Sequence, residues 1–492
     1  MNSQIRKLFL VLCLLFVAVI ATTTYWLWRS PDLEARQGNP TLVVRQLTIK
    51  RGLIYAADGR TVLARNRPRK IQGRTWYLRV YPQDDLTAHV VGYSTVGRSR
   101  AGLEKSMNDF LTGSNSNLST VVDRTLDKIR GLTQVGNDLV LTIQPEVQQV
   151  ALDQLEGKCG AAVALDPRSG EVLAMASSPP YNPNLVENRF EEILAAQGAC
   201  TPAAPLLNRA TQGLFIPGST FKVITASAAL ESGRFTPESR FDDPGYCTVY
   251  GKRVSNFADQ SGPEAFGNVS FAEALQNSIN SVFCNVGKEL GPQAILEQAK
   301  RYGFYALPPL ETPESERRPS GLYQRGRLVL PDDPNAVDPG RLAFGQERLL
   351  ATPLQMAMVA AGIANGGVVM RPYVVDRILA PDGDILTKTS PDEYSEAVSP
   401  QTAAELAAMM ELAVQSGTGT AAQIPGVRVA GKTGTAETGR PGQNDTWFIA
   451  FAPADAPRVA VAVALSDQAG TGGGTAAPIA RSIMQAVLAQ SA

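Results

Sequence analysis

The chain has 492 residues, with 46 Lys and Arg against 46 Asp and Glu, so its net charge gives no electrostatic case for nucleic acid or another polyanion. One histidine, His89, means that a Ser-His-Asp triad could be built on that residue alone, and a histidine-rich metal site is excluded. At this length, with 44% hydrophobic residues, two or three domains with real cores are expected.

After Arg6 and Lys7, the stretch from Leu8 to Trp28 carries no charged residue, ends in Tyr25-Trp26-Leu27-Trp28 and is followed by Arg29. About 20 apolar residues cross a bilayer core, and aromatic side chains favour its interface. The expectation is a cytoplasmic tail over 1–7 and a retained single-pass transmembrane anchor over 8–28. The preceding positive charges put the amino terminus inside and everything after Arg29 outside the cell. A signal peptide cleaved near Val19-Ile20-Ala21 and a buried core helix are the other readings. Cys13 lies in this stretch, whereas Cys159, Cys200, Cys247 and Cys284 would face an oxidising compartment. Three complete pairings are open to those four. So is the reading that Cys159 and Cys284 are small buried hydrophobes and only Cys200 and Cys247 pair.

Residues 29–157 read as a small strand-rich accessory module of dimerisation or pedestal type, Arg-rich and short in apolar periods. A turn signal follows Leu53-Ile54-Tyr55, and Ser114-Asn115-Ser116-Asn117 reads as a solvent loop. Leu139 to Ile143 is a partly β-branched apolar run, and Pro145 to Leu155 repeats at helical spacing with proline in the first turn. Two strands are expected between Gly160 and Ala176, around Asp166-Pro167-Arg168-Ser169-Gly170. A larger domain over 158–492 follows. Helices are expected over 219–230, 271–290, 353–364, 400–415 and 477–489, and strands over 427–430, 447–451 and 459–465. Strands at both ends enclosing helices predict an α+β fold, a mixed sheet assembled from distant parts of the sequence with helices on both faces. Pro308 to Asp338, rich in Pro, Arg and acidic residues, reads as an irregular surface excursion or a lid beside the site.

Three elements carry chemistry. Pro217-Gly218-Ser219-Thr220-Phe221-Lys222 contains the one Ser-x-x-Lys pair of the chain. On a helix, residues three apart share a face, so Lys222 Nζ can reach Ser219 Oγ. A desolvated lysine has a lone pair to accept the hydroxyl proton. Ser278-Ile279-Asn280 puts a hydroxyl and an amide two residues apart, which face one cleft only where the backbone turns. Ser278 could relay a proton and Asn280 hold a substrate amide, although a serine helix cap is the plainer reading. Lys432-Thr433-Gly434-Thr435 offers a cation, two hydroxyls for a carboxylate and a glycine that lets a substrate backbone approach an edge strand; a strand-end turn is its plainer reading.

These motifs, in this order, resemble the set shared by penicillin-binding proteins and class A β-lactamases. The middle motif is SIN instead of SDN, which fits the SxN pattern of penicillin-binding proteins. RGLIYAADGRTVLARN from Arg51 and GLEKSMNDFLTG from Gly102 resemble amino-terminal motifs of class B penicillin-binding proteins. LTIQPEVQQVAL from Leu141, GAAVALDPRSGEVLAMASSPPYNPN from Gly160 and AFGQERLLATPLQMAMVAAGIANGG from Ala343 resemble segments of the penicillin-binding/β-lactamase-like transpeptidase domain. The short amino-terminal module, with no added carboxy-terminal domain, is similar to that of actinobacterial penicillin-binding protein A.

The resemblance implies a serine D,D-transpeptidase without a glycosyltransferase domain and without a cofactor or metal. It would crosslink peptidoglycan stem peptides ending in D-Ala-D-Ala during growth or division, and be acylated by β-lactams. Ser219 is implied as nucleophile, Lys222 as its base, Ser278, Asn280 and Lys432 as further catalytic groups. Thr433, Gly434 and Thr435 would bind substrate, and the N–H groups of Ser219 and Thr435 would form the oxyanion hole. Glu104 would pack the two domains together, and His89 is structural. A membrane glycosyltransferase of the SEDS type is the implied partner. A β-lactamase or a noncatalytic β-lactam sensor on the same fold is the alternative. The first needs a water-activating glutamate, yet no Glu-x-x-Asn occurs between Ser281 and Gly431.

Overall fold

The computed structural model describes residues 3–34, 47–71, 73–96, 99–114, 135–195, 199–249, 251–256, 258–259, 262–331, 333, 336–440 and 442–490. Of the loop expected at Ser114-Asn115-Ser116-Asn117, all but Ser114 lies outside these residues. Helix α1, Ser3–Glu34, contains a span from Ser3 to Trp26 long and apolar enough to cross a membrane, with a mean hydropathy of 2.5. None of that span is buried, which removes the core-helix reading.

The amino-terminal module is built on β1 (Ile54–Tyr55), β2 (Val62–Ile71), β3 (Arg74–Val80) and β4 (Asp138–Leu141). β1 runs parallel to β4 and antiparallel to β2. The sheet has six strands, because Val375–Leu379 pairs with β4 and Ile385–Lys388 adds the edge. A hairpin from the carboxy-terminal half therefore completes the module's sheet, and periodicity along the sequence cannot reveal such a pairing. Glu104 is wholly buried, and its carboxylate accepts from Arg51 at 2.7 Å and from Arg79, while Asn108 takes a further Arg51 N–H at 2.9 Å. Two guanidinium groups hold its carboxyl below the usual range against the opposing effect of burial. Glu104 stitches the module internally instead of joining the domains as expected. Its neighbours make that connection, Gly102 N–H to Glu316 Oε2 at 3.0 Å and Lys105 Nζ to Ser315 Oγ at 3.4 Å.

Helix α2, Pro145–Leu155, leads to the hairpin β5 (Cys159–Leu165) and β6 (Val172–Ser178). A 3-10 turn, Gly218–Phe221, runs into α3 (Lys222–Glu231), followed by α4 (Phe271–Gln276), α5 (Asn280–Leu290), α6 (Pro353–Ala364) and α7 (Pro400–Gln415). The chain closes on β7 (Ala430–Glu437), β8 (Asn444–Ala452), β9 (Val459–Gln468) and α8 (Gly472–Ala489). The second sheet has the order β7-β8-β9-β5-β6, every pair antiparallel, so its strands come from both ends of the domain. Its central strands are covered on both faces. Trp447, Ile449 and Phe451 of β8 enter the core with α3, α5 and α6, and Phe448 and Ala450 enter the core with α2 and α8. That explains their continuous apolar run in place of alternation. Each such large side chain contributes roughly 1.5–3 kcal/mol by its burial.

The single helix expected over 271–290 is two helices. The N–H of Ile279 bonds Ala274 O at 2.9 Å and that of Ser278 bonds Leu275 O at 3.3 Å, with Ser278 at φ 59°. This is a Schellman ending of α4 with serine in the left-handed position that glycine usually takes, so no glycine marks the break in the sequence. The cysteines pair Cys159–Cys200 and Cys247–Cys284, with Cα separations of 4.9 and 6.4 Å. The Cys200–Cys247 pairing is thereby overturned. Nor is Pro308 to Asp338 a lid. Thr312, Ser320 and Leu322 are buried, Gly321–Gln324 pairs with Leu349–Leu350, and Glu311 accepts the N–H groups of Val374 and Val375 at 3.0 and 3.2 Å. Its described charged groups find backbone partners inside the protein, Glu311 on the Val375–Leu379 strand and Arg317 at Pro308 O, 2.7 Å away.

Candidate active site

Ser219 sits in the 3-10 turn, immediately before α3, and β8 grips the residue that leads into it. Ile216 donates its N–H to Asp445 Oδ2 at 3.0 Å, and its carbonyl accepts the Trp447 indole N–H at 2.9 Å. Gly218 has φ 51° and donates its N–H to Gly345 O at 3.2 Å, so the chain turns sharply just ahead of the serine. In the first turn the Ser219 N–H has no partner within the helix, which leaves it available to an anion. Burial lifts the Asp445 carboxyl to about 6 despite its hydrogen bonds to Ile216 and Ser466.

A 3-10 turn eclipses residues three apart, and so Lys222 stands above Ser219. Its Nζ is committed to the second motif, lying 2.5 Å from Ser278 O, 2.8 Å from Asn280 Oδ1 and 3.2 Å from Ser278 Oγ. Among the described residues no hydrogen bond joins Lys222 Nζ to Ser219 Oγ. Catalytic contacts often close only when substrate is bound. Ser278 Oγ is shared, for Lys432 Nζ donates to it at 2.8 Å while also donating to Thr433 O at 3.1 Å. The left-handed backbone at Ser278 aims this hydroxyl between the two lysines. Both lysines are fully buried. Desolvation brings Lys432 down to about 7, and desolvation together with repulsion from Lys432 holds Lys222 well below the ordinary lysine value.

The SIN turn has its own support. Ser281 donates Oγ–H to Asp243 and its N–H to Asn256 Oδ1 at 2.9 Å. Asp243 in turn accepts from Asn256 Nδ2 at 2.8 Å and from Phe266 N–H at 2.9 Å. Asn280 Nδ2 reaches Ser255 O at 3.0 Å.

The third motif lies on β7, the edge of the sheet, beside the Ser219 turn. A Cβ on Gly434 would lie 2.8 Å from Pro217 O and 3.0 Å from Thr220 Cγ2. Its missing side chain thus makes room for the protein's own nucleophile turn, where the sequence reading had reserved the space for substrate. Thr433 Oγ1 is 2.6 Å from Thr418 Oγ1, and Thr435 Oγ1 accepts the Gly472 N–H at 3.1 Å.

A cleft of about 1010 Å³ opens over these elements and is lined by Ser219, Ser278, Asn280, Thr418, Thr433 and Thr435 among others. Lys222, Lys432 and Gly434 lie beneath its floor. All eight motif residues are therefore gathered at one place, five on the surface of the cleft and three under it. His89 is elsewhere: it is buried, bonded through Nε2 to Pro205 O at 2.7 Å, edge-on to Tyr181 and lowered to about 4 by burial. Sequence reasoning missed Thr418, Asp243, Asn256, Asp445 and Trp447. Only Thr418, in a Gly-Thr-rich stretch just before β7, carried a local signal.

The arrangement suits a serine nucleophile with a desolvated lysine base and a second lysine behind a shared hydroxyl. Residues 160–485 match the family described as the penicillin binding protein transpeptidase domain, and 51–139 the penicillin binding protein A dimerisation domain. The peptidoglycan D,D-transpeptidase PbpA of Mycolicibacterium smegmatis is 36% identical over 516 residues, covering 99% of each chain. PbpA of Mycobacterium tuberculosis is 35% identical over 511 residues, again covering 99% of each. The structure of M. tuberculosis penicillin-binding protein A as a ceftriaxone acyl-enzyme superposes with a TM-score of 0.80 at 34% identity, covering 90% of this chain and all of that one. Its penicillin G acyl-enzyme gives 0.77 at 35% identity, covering 89% and 100%. With the three motifs gathered at one cleft and the family matched across its length, the chain belongs to the penicillin-binding protein transpeptidases.

Proposed function

We propose that the protein is a membrane-anchored peptidoglycan D,D-transpeptidase that crosslinks stem peptides through an acyl-enzyme on Ser219. The observation that carries this reading is the pair of buried, desolvated lysines, Lys222 and Lys432, converging on Ser278 Oγ beside the Ser219 turn.

Ser219 Oγ attacks the penultimate D-alanine carbonyl and its proton passes to neutral Lys222. The oxyanion is held by the N–H groups of Ser219 and Thr435, each such donor being worth about 3–4 kcal/mol. The proton then reaches the departing D-alanine amine through Ser278 Oγ, which gives its own proton to the amine as it takes one from Lys222, with Lys432 held against the same hydroxyl. An acceptor amine attacks the ester, the new peptide bond forms, and Ser219 Oγ regains its proton. Asn280 binds the substrate amide, and Lys432, Thr433 and Thr435 attract its terminal carboxylate, the two threonines at short range through hydroxyls and the lysine as a charge beneath them. Gly434 keeps β7 close to the nucleophile turn.

In this reading α1 is the anchor, with the amino terminus cytoplasmic and the catalytic domain outside. The fold and the absence of glycosyltransferase motifs from residues 33–135 make a membrane glycosyltransferase of the SEDS type the fitting partner. The test is turnover by the detergent-solubilised full chain with a stem pentapeptide ending in D-Ala-D-Ala and an amine acceptor. Acceptor-dependent crosslinked product with D-alanine release, lost in Ser219→Ala, is expected. Release of free acid and rapid loss of bound penicillin would instead identify a β-lactamase-type hydrolase.

A further inference from the structure

The β2-β3 ribbon has no role in the chemistry above. From Arg65 to Val80 it contains six cations and no acidic residue. Its register is unbroken, with Arg65 opposite Val80, Arg67 opposite Leu78, Arg69 opposite Trp76 and Ile71 opposite Arg74. Directly opposed residues share a face, so one face collects four arginines together with Ile71, Trp76 and Leu78. The opposite face is tied to the module, through Arg79 to Glu104 and through Asn66 Nδ2 to Arg51 O at 2.5 Å. Arg65, Arg67, Arg69 and Arg74 are exposed, Ile71 is 41% exposed, and among the described residues none of the four arginines forms a salt bridge.

The direction of the ribbon matters as much as its charge. β1 and β2 are antiparallel, and Arg51 meets Asn66, so the ribbon's tip points back past Arg51, to the side from which the chain enters the module. From Asn66 to Ile71 the ribbon runs about 17 Å further, at about 3.4 Å per residue. Residues 35–46, which join α1 to the module, can span about 40 Å at most. A cationic face carrying an aromatic ring and an exposed aliphatic tip, on the side of the module where a linker of that reach enters, has the composition of a bilayer-interface element.

We propose that the Arg65–Val80 ribbon docks on the anionic phospholipid surface of the membrane that α1 crosses, and so fixes the height and orientation of the module over it. The proposal rests on the anchor reading of α1 and is independent of the chemistry at Ser219.

The test uses the full chain in nanodiscs, with Cys13→Ala and Ile71→Cys and an environment-sensitive fluorophore at position 71. Quenching by spin-labelled lipid should be several-fold greater in discs containing phosphatidylglycerol than in pure phosphatidylcholine. It should fall to the phosphatidylcholine level in 0.5 M-range salt, or when Arg67→Glu and Arg69→Glu are added. Undiminished penicillin labelling of the charge-reversed chain shows that it is folded. Equal quenching in both lipids would overturn the proposal. So would binding of soluble polyphosphate with no quenching by lipid, which would identify a free phosphate polymer as the ligand. Failure of the chain to enter discs at all would overturn the anchor reading, and this proposal with it.

Discussion

Lys432 Nζ donates to Ser278 Oγ at 2.8 Å, and that same hydroxyl lies 3.2 Å from Lys222 Nζ. One serine thus connects two buried lysines from different elements, and each is kept from its ordinary protonation by burial. Their protons come off in steps that belong to the pair.

Lys222 has to be neutral to accept the Ser219 proton. Lys222→Arg keeps a cation that cannot lose its proton, and the acylation rate constant for penicillin should fall by about 10²–10⁴-fold. Stopped-flow measurement with a fluorescent penicillin reads this directly, and a rate within a fewfold of the wild type would remove Lys222 as the base.

Lys432 is lowered from 10.5 to about 7 on folding. Between those values the unfolded chain binds the extra proton, so this residue's contribution to stability rises with pH from about 7 to 10.5. Lys432→Met removes the cost of burying the cation. The variant should be more stable at pH 7 by about 1–3 kcal/mol and should lose the part of the pH slope that lies above neutrality. Activity should fall with it. Denaturant titrations at pH 7 and pH 9 check the sign; a destabilised variant with an unchanged slope would contradict it. For the wild type, acylation by a carboxylate-bearing β-lactam should decline above about pH 7 as Lys432 loses its charge.

Ser278 holds a left-handed conformation at φ 59° that costs an L-residue about 1 kcal/mol. Ser278→Gly relieves this and should leave the ending of α4 intact, giving a chain at least as stable as the wild type. It removes the shared hydroxyl, and acylation should fall by about 10²-fold. Thermal unfolding and acylation rates therefore move in opposite directions. Parallel losses would mean that the hydroxyl serves only as a structural prop.

Gly434→Ala forces a methyl group to within 2.8 Å of Pro217 O. The expected cost is about 1–3 kcal/mol of stability, together with a loss of acylation as β7 and the Ser219 turn separate. An acylation rate at Gly434→Ala equal to the wild type would show that the turn does not depend on this contact.

Helices over 145–155, 353–364 and 400–415 were legible because their apolar periods are long and each has proline in the first turn. The three motifs were legible because their residue types are chemically unusual together. The break at Ser278 was not, since serine occupies a position where glycine would have signalled it. Nor was the support beneath the motifs. Asp243, Asn256, Asp445 and Trp447 reach the site only through strand pairing and chain reversal, and spacing along the chain carries no trace of that. The same holds for Val375–Leu379, which completes a sheet more than 230 residues earlier in the chain.

The central claim is that Ser219 is the acylated nucleophile. Peptide-level mass spectrometry of penicillin-treated protein tests it most directly, comparing the wild type with Ser219→Ala at equal folded concentration. One penicilloyl group per chain on the peptide containing Ser219, and none in Ser219→Ala, is the predicted result. An adduct that persists in Ser219→Ala, or that maps to Ser278 or another residue of the wild type, would contradict it.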